Sequence, residues 1–168
     1  MKFFLIPALL ITLAAPAFAE EKVTLTGVHD CCKKCVDGLN KAVATAPGVT
    51  AAVEKTTVTL TAADAPSLQK AVNAIVAAGY TGESDNSSIK VTPGVGPDEK
   101  VTSLTVTGAH LCCGKCVKGV DAAVMAVPGV KSHTATKGAE SFKIEGEFNG
   151  KELMAALAKA GYTGTATK

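Results

Sequence analysis

Six cysteines stand in two tight groups, Cys31-Cys32-x-x-Cys35 and Cys112-Cys113-x-x-Cys116, and their type and spacing offer the clearest chemistry in the chain. Thiolate sulfur is a soft ligand that selects Cu(I), Zn(II) or similarly thiophilic ions over magnesium or calcium. Sulfurs at i and i+3 at the head of a helix can converge on one ion. A third, adjacent thiol allows trigonal coordination where the loop turns Cys31 or Cys112 inward. Free helix amides and the dipole favour anionic sulfur, so the thiol pKa values are expected to fall. His29 and His110 precede the cysteine pairs by two residues. If their imidazoles reach the ion the set becomes Cys₃His, closed and suited to zinc; the other reading of each is a polar loop residue that shapes the turn.

In an exported chain cysteines often pair as disulfides. Here three per group leaves a thiol over, and every cysteine lies within one turn of its neighbours instead of tying distant segments together. The leading reading is therefore a binding protein with up to one metal ion per group, and no plausible catalytic group stands nearby. The alternative is a thiol–disulfide redox protein using the Cys-x-x-Cys pairs.

The residues around the thiols repeat. GVHDCCKKC (Gly27 to Cys35) returns as GAHLCCGKC (Gly108 to Cys116) and Pro47-Gly48-Val49 as Pro128-Gly129-Val130, both 81 positions on; Gly79-Tyr80-Thr81-Gly82 returns as Gly161-Tyr162-Thr163-Gly164 after 82. Three anchors in one order imply two homologous modules. Within each, Val23 and Leu25, or Leu104 and Val106, alternate as in a half-buried strand. Val36, Leu39 and Val43, or Val117, Val120 and Val124, then share a helix face that Pro-Gly ends. A short strand from Val49 or Val130 and an alternating one through Val58 and Leu60, or Phe142 and Ile144, follow. A second helix over Leu68 to Val76, or Leu153 to Ala160, stops at Gly79 or Gly161, and a last strand starts at Tyr80 or Tyr162. This order predicts an α+β, ferredoxin-like βαββαβ sandwich in two tandem copies, residues 20–83 and 100–168. The Ser-, Asn-, Pro- and Gly-rich stretch 84–99 reads as an exposed connector, so the modules are expected to be tethered.

Residues 1–19 read as a secretory signal: Lys2, an apolar run from Phe3 to Leu13, and the small-x-small triplet Ala17-Phe18-Ala19, with cleavage before Glu20. The run is too short for a span, so a periplasmic or secreted protein without membrane insertion after cleavage is expected. The remainder carries 16 lysines against 15 acids, with no arginine or tryptophan. Neither stacking platforms nor a phosphate-binding stripe is available, which excludes nucleic acid as a partner.

Together, the Cys-x-x-Cys at the head of the first helix, the Pro-Gly-Val after it, the Ala-Gly-Tyr before the last strand and the element order resemble the heavy-metal-associated domain family. That family includes copper metallochaperones, modules of metal-transporting ATPases and the exported mercury-binding protein of resistance systems. The resemblance implies Cys32 and Cys35, and Cys113 and Cys116, as the ion-binding pair of each module. It places Tyr80 and Tyr162 in the last loop near the metal, and it makes another metal-handling protein a candidate partner. Against the family's Gly-Met-x-Cys-x-x-Cys, this chain has Val28 or Ala109 after the glycine and two extra residues in the loop. A linear copper site does not transfer, and Cu(I), Zn(II) and Hg(II) stay open.

Overall fold

The computed structural model describes residues 20–168; the leader expectation for residues 1–19 lies outside the described residues. The first half runs β1 (Glu21–Thr26), α1 (Lys33–Val43), β2 (Thr50–Glu54), β3 (Thr57–Ala62), α2 (Ala65–Ala77) and β4 (Glu83–Ser84). In the second half come β5 (Lys100–Thr107), α3 (Gly114–Met125), β6 (Val130–His133), β7 (Ser141–Asn149), α4 (Gly150–Lys159) and β8 (Thr165–Thr167). Each half forms a four-stranded antiparallel sheet, in the orders β2-β3-β1-β4 and β6-β7-β5-β8. Four helices on two such sheets make an α+β protein. Among the described residues no helix is long and apolar enough to cross a membrane.

The alternation of apolar and threonine positions sets the registers. Val23 faces Leu60 and Leu25 faces Val58 across β1 and β3; Leu104 faces Ile144 and Val106 faces Phe142 across β5 and β7. A slip of one residue would turn each of these side chains out of the core. Leu39, Leu68, Val72 and Ile75 of α1 and α2, and Val120, Val124, Leu153 and Leu157 of α3 and α4, are fully buried, each such side chain contributing about 1.5–3 kcal/mol of burial.

Helix starts divide into two kinds. Asp64 caps α2 by accepting from the Ser67 amide, and Asn149 caps α4 by accepting from the Lys151 and Glu152 amides. The heads of α1 and α3 carry Cys32 and Cys113 at the cap position in extended backbone, and neither side chain makes a capping hydrogen bond. Their first amides are thus left facing the sulfur-bearing loops.

Two expectations change. The last strands begin at Glu83 and Thr165. Tyr80 and Tyr162, expected to open them, instead pair with each other in an isolated antiparallel bridge between the halves. The connector is also packed, not loose. Ile89 is buried, and Gln69 and Lys90 exchange two hydrogen bonds of 2.7 Å. The Gly94 amide donates to the Thr163 hydroxyl at 2.8 Å, and Pro97 and Glu99 carbonyls accept from the Lys151 and Gly150 amides. Backbone and small residues allow this close approach, which composition alone reads as exposure.

Candidate metal centre

The two halves meet through matching contacts. The Thr81 amide donates to the Gly161 carbonyl and the Thr163 amide to the Gly79 carbonyl, each at 3.2 Å. Gly79 and Gly161 have positive φ, +87° and +83°. They sit just past α2 and α4, where the next amide bonds back to Ile75 or Leu157, a Schellman closure that favours glycine. A Cβ on Gly79 would overlap the Gly108 carbonyl and the His110 amide, and one on Gly161 the His29 amide and Gly27 carbonyl. The absence of a side chain there is what lets each helix end press against the other half's cysteine loop.

That contact brings all six sulfurs together. Within the first loop Cys31 and Cys32 each lie 3.8 Å from Cys35. Cys112 lies 3.6 Å and Cys113 3.5 Å from Cys116 within the second. Between the loops, Cys31 approaches Cys113 to 3.3 Å and Cys116 to 3.7 Å, and Cys112 lies 3.8 Å from Cys32 and 3.7 Å from Cys35. All six are free thiols. The expectation of two separately held sites gives way to one joint cluster, because a spacing of 81 along the chain says nothing about how the halves dock.

Both predicted histidines are at the cluster, and they differ. His29 Nε2 lies 3.2 Å from Cys116 Sγ and 3.0 Å from the Tyr162 hydroxyl. Its ring packs on Tyr162 with centroids 4.2 Å apart. It belongs with Cys31, Cys35 and Cys116 to a set of donors all within 4.8 Å of one another. His110 stacks on Tyr80 at 4.5 Å, and its buried Nε2 has no hydrogen-bond partner. Each histidine therefore leans on the other half's tyrosine. Both tyrosines are buried; Tyr80 donates to the Cys35 carbonyl at 3.2 Å. Gly38 and Gly119 open slots for the two hydroxyls, since a Cβ at either would collide with them. Sequence reasoning missed this pair; the signal was their own spacing of 81, three residues past Cys35 and Cys116.

The thiols divide by environment. The Cys35 amide, foremost among backbone donors, lowers the Cys32 pKa, and the Cys116 amide brings Cys113 down to about 6. Burial pushes Cys31, Cys112 and Cys116 up. The lowering expected at a helix head thus holds at the cap positions Cys32 and Cys113, while Cys31, Cys112 and Cys116 lose more hydration than they gain from amides. Burial, with His110 nearby, holds His29 down at about 4, so its imidazole is neutral and able to ligate at neutral pH.

Because the folded protein resists protonating His29, the stability this residue contributes is complete above its ordinary 6.5 and is lost as pH falls toward 4. Metal-free protein is expected to lose melting temperature more steeply across that window than a His29→Gln variant; parallel curves would contradict the assignment. With metal present, His29→Ala is expected to weaken binding about 10–100-fold and His110→Ala to weaken it less, read by competition with a chromophoric chelator.

Fold and site define a class: an α+β protein whose cluster of six thiols is a donor set for thiophilic heavy-metal ions. No family model matches the chain, and no curated protein matches it. Among solved structures it is similar to the solution structure of the N-terminal soluble domains of Bacillus subtilis CopA, at 18% identity over 86% of this chain and 92% of that one. The TM-score is 0.28, too low to carry anything over to this chain.

Proposed function

We propose that this is an exported binding protein for thiophilic heavy-metal ions, Cu(I), Zn(II) or Hg(II), acting in metal capture, trafficking or detoxification rather than catalysis. On this reading residues 1–19 are a cleaved leader. Residues 20–83 and 100–168 are two tandem heavy-metal-associated modules of ferredoxin-like fold, joined by residues 84–99. The ion is cargo, passed to or from another metal-handling protein. The observation that carries the proposal is the meeting of six free thiols and His29 at one place.

Anaerobic titration of the reduced protein with each of the three ions tests it. Tight binding of at least one is expected. Cys32→Ser combined with Cys113→Ser should weaken that binding by more than the roughly hundredfold typical of losing a supporting residue. No tight binding of any ion, or equal binding by the double variant, would sink the proposal.

A redox role is the second reading, favoured by the closest sulfur pair, Cys31 and Cys113 at 3.3 Å, which spans the two halves. Thiol labelling with mass spectrometry of protein isolated from its compartment separates the two. Free thiols with bound metal support binding; a stable disulfide together with a mixed-disulfide intermediate supports redox exchange.

A further inference from the structure

The six sulfurs have the connectivity of an octahedron. Four donor groups recur in the cluster: Cys31, Cys35 and Cys116 with His29; Cys31, Cys32 and Cys113; Cys32, Cys35 and Cys112; Cys112, Cys113 and Cys116. Every cysteine belongs to two of the four, and no pair of cysteines is used twice. The twelve pairs so defined are the edges of an octahedron, and the four triads are one of its two sets of alternate faces; the other set includes Cys31, Cys113 and Cys116, 3.3 to 3.7 Å apart. Pairs that share no triad, such as Cys31 with Cys112 or Cys35 with Cys113, are opposite corners. Nine of the twelve edges measure between 3.3 and 4.0 Å. Three of the four faces draw sulfurs from both halves, so neither half could form this arrangement alone.

Resting on the metal-binding reading above, we propose that the six thiolates form one cage that takes four monovalent thiophilic ions, Cu(I) foremost, one on each of four alternate faces. The geometry matches. A metal–sulfur bond of about 2.3 Å places three sulfurs around an ion roughly 4.0 Å apart. Bond counting matches too: each thiolate bridges two ions, giving twelve metal–sulfur bonds, three for each of four ions. The loaded cage has all six cysteines as thiolates, each thiol still protonated giving up its proton to solvent, and sets six negative sulfurs against four positive ions, a net charge of −2. The uncapped amides at the heads of α1 and α3 face that charge.

Zinc does not fill the cage in this way. Tetrahedral Zn(II) needs four donors, so four ions would require sixteen bonds where the thiolates supply twelve. Among the described residues, one triad is joined by a nitrogen donor, His29. Zinc is thus not expected to occupy four faces at once. The chain therefore discriminates between ions by how many it holds, with a three-coordinate monovalent ion matching the whole donor set.

Native mass spectrometry of the reduced protein, titrated anaerobically with Cu(I) supplied as its acetonitrile complex, tests the cage. The expected result is a rise directly from metal-free protein to a four-copper species, with little one-, two- or three-copper protein between. Saturation at one or two copper ions per chain would overturn the cage while leaving metal binding intact. Binding of no copper, zinc or mercury would remove both. Cys31→Ser deletes two of the twelve bonds, and the variant is expected to stop short of four; four ions held with unchanged affinity would also overturn the cage.

Discussion

Replacing Gly79 and Gly161 together by alanine is expected to part the two halves and to abolish the joint thiol site. Each alanine is forced into left-handed backbone, which costs about 1–2 kcal/mol. Each new methyl also collides with backbone atoms of the opposite cysteine loop, Gly108 and His110 on one side, Gly27 and His29 on the other. No rotamer change can relieve an overlap of Cβ with backbone. The carbonyls of both glycines accept the Thr81 and Thr163 amide bonds that flank the Tyr80–Tyr162 bridge, so the bridge fails with them. Small-angle scattering should show a radius of gyration above the ~15 Å of a compact chain of this size. The four-ion species should disappear. Gly27→Ala separates the two effects: its φ is +75° but an added Cβ meets nothing within 4 Å, so it carries the backbone strain without the collision. If the double variant stays compact and fully loaded, or if Gly27→Ala behaves like it, the interface is not held as described.

Metal loading is expected to have the second large effect, on stability. An ion that binds the folded chain and not the unfolded one stabilises it by about 4 kcal/mol when free ion exceeds the dissociation constant a thousandfold. For a chain of 168 residues each kcal/mol moves the melting temperature by about 2–4 °C, so a rise of roughly 8–16 °C is expected. A chelator strong enough to strip the ion should reverse it. The same ion should raise the melting temperature of the Gly79, Gly161 variant far less, because most donor faces need both halves. An equal rise in the two proteins would place the binding sites within single halves.

Much of the fold could be read from spacing because burial imposes periodicity. Val23 and Leu25 alternate with threonines for the same reason that Val58 and Leu60 do across the sheet, and the leucines and valines of α1 to α4 recur at helical intervals. The cysteines were legible as candidate donors from their type and from the repeat, and the histidines as their neighbours. Their meeting in one place was not, since docking of the halves is decided by Gly79, Gly161 and the tyrosine bridge, and none of these announces a partner in one dimension. Tyr80 and Tyr162 read as strand openers because an aromatic after a helix-ending glycine commonly is one; here the other half supplies the pairing. The connector's Ile89 and its glycines were outvoted by polar neighbours. The thiol pKa pattern also needed the structure, because the helix dipole acts on all three sulfurs of a loop while burial acts unequally.

The covalent joining of the halves has a kinetic consequence. Had the cage been assembled from two separate chains, its formation would depend on encounter, and at high dilution most chains would wait alone with half a donor set. Here the second set of thiols is carried on the same backbone, held by a connector that is itself packed against Gln69, Thr163 and α4. Closure is a first-order event at an effective concentration around millimolar or higher. Capture should therefore show the same ion count per chain at nanomolar as at micromolar protein.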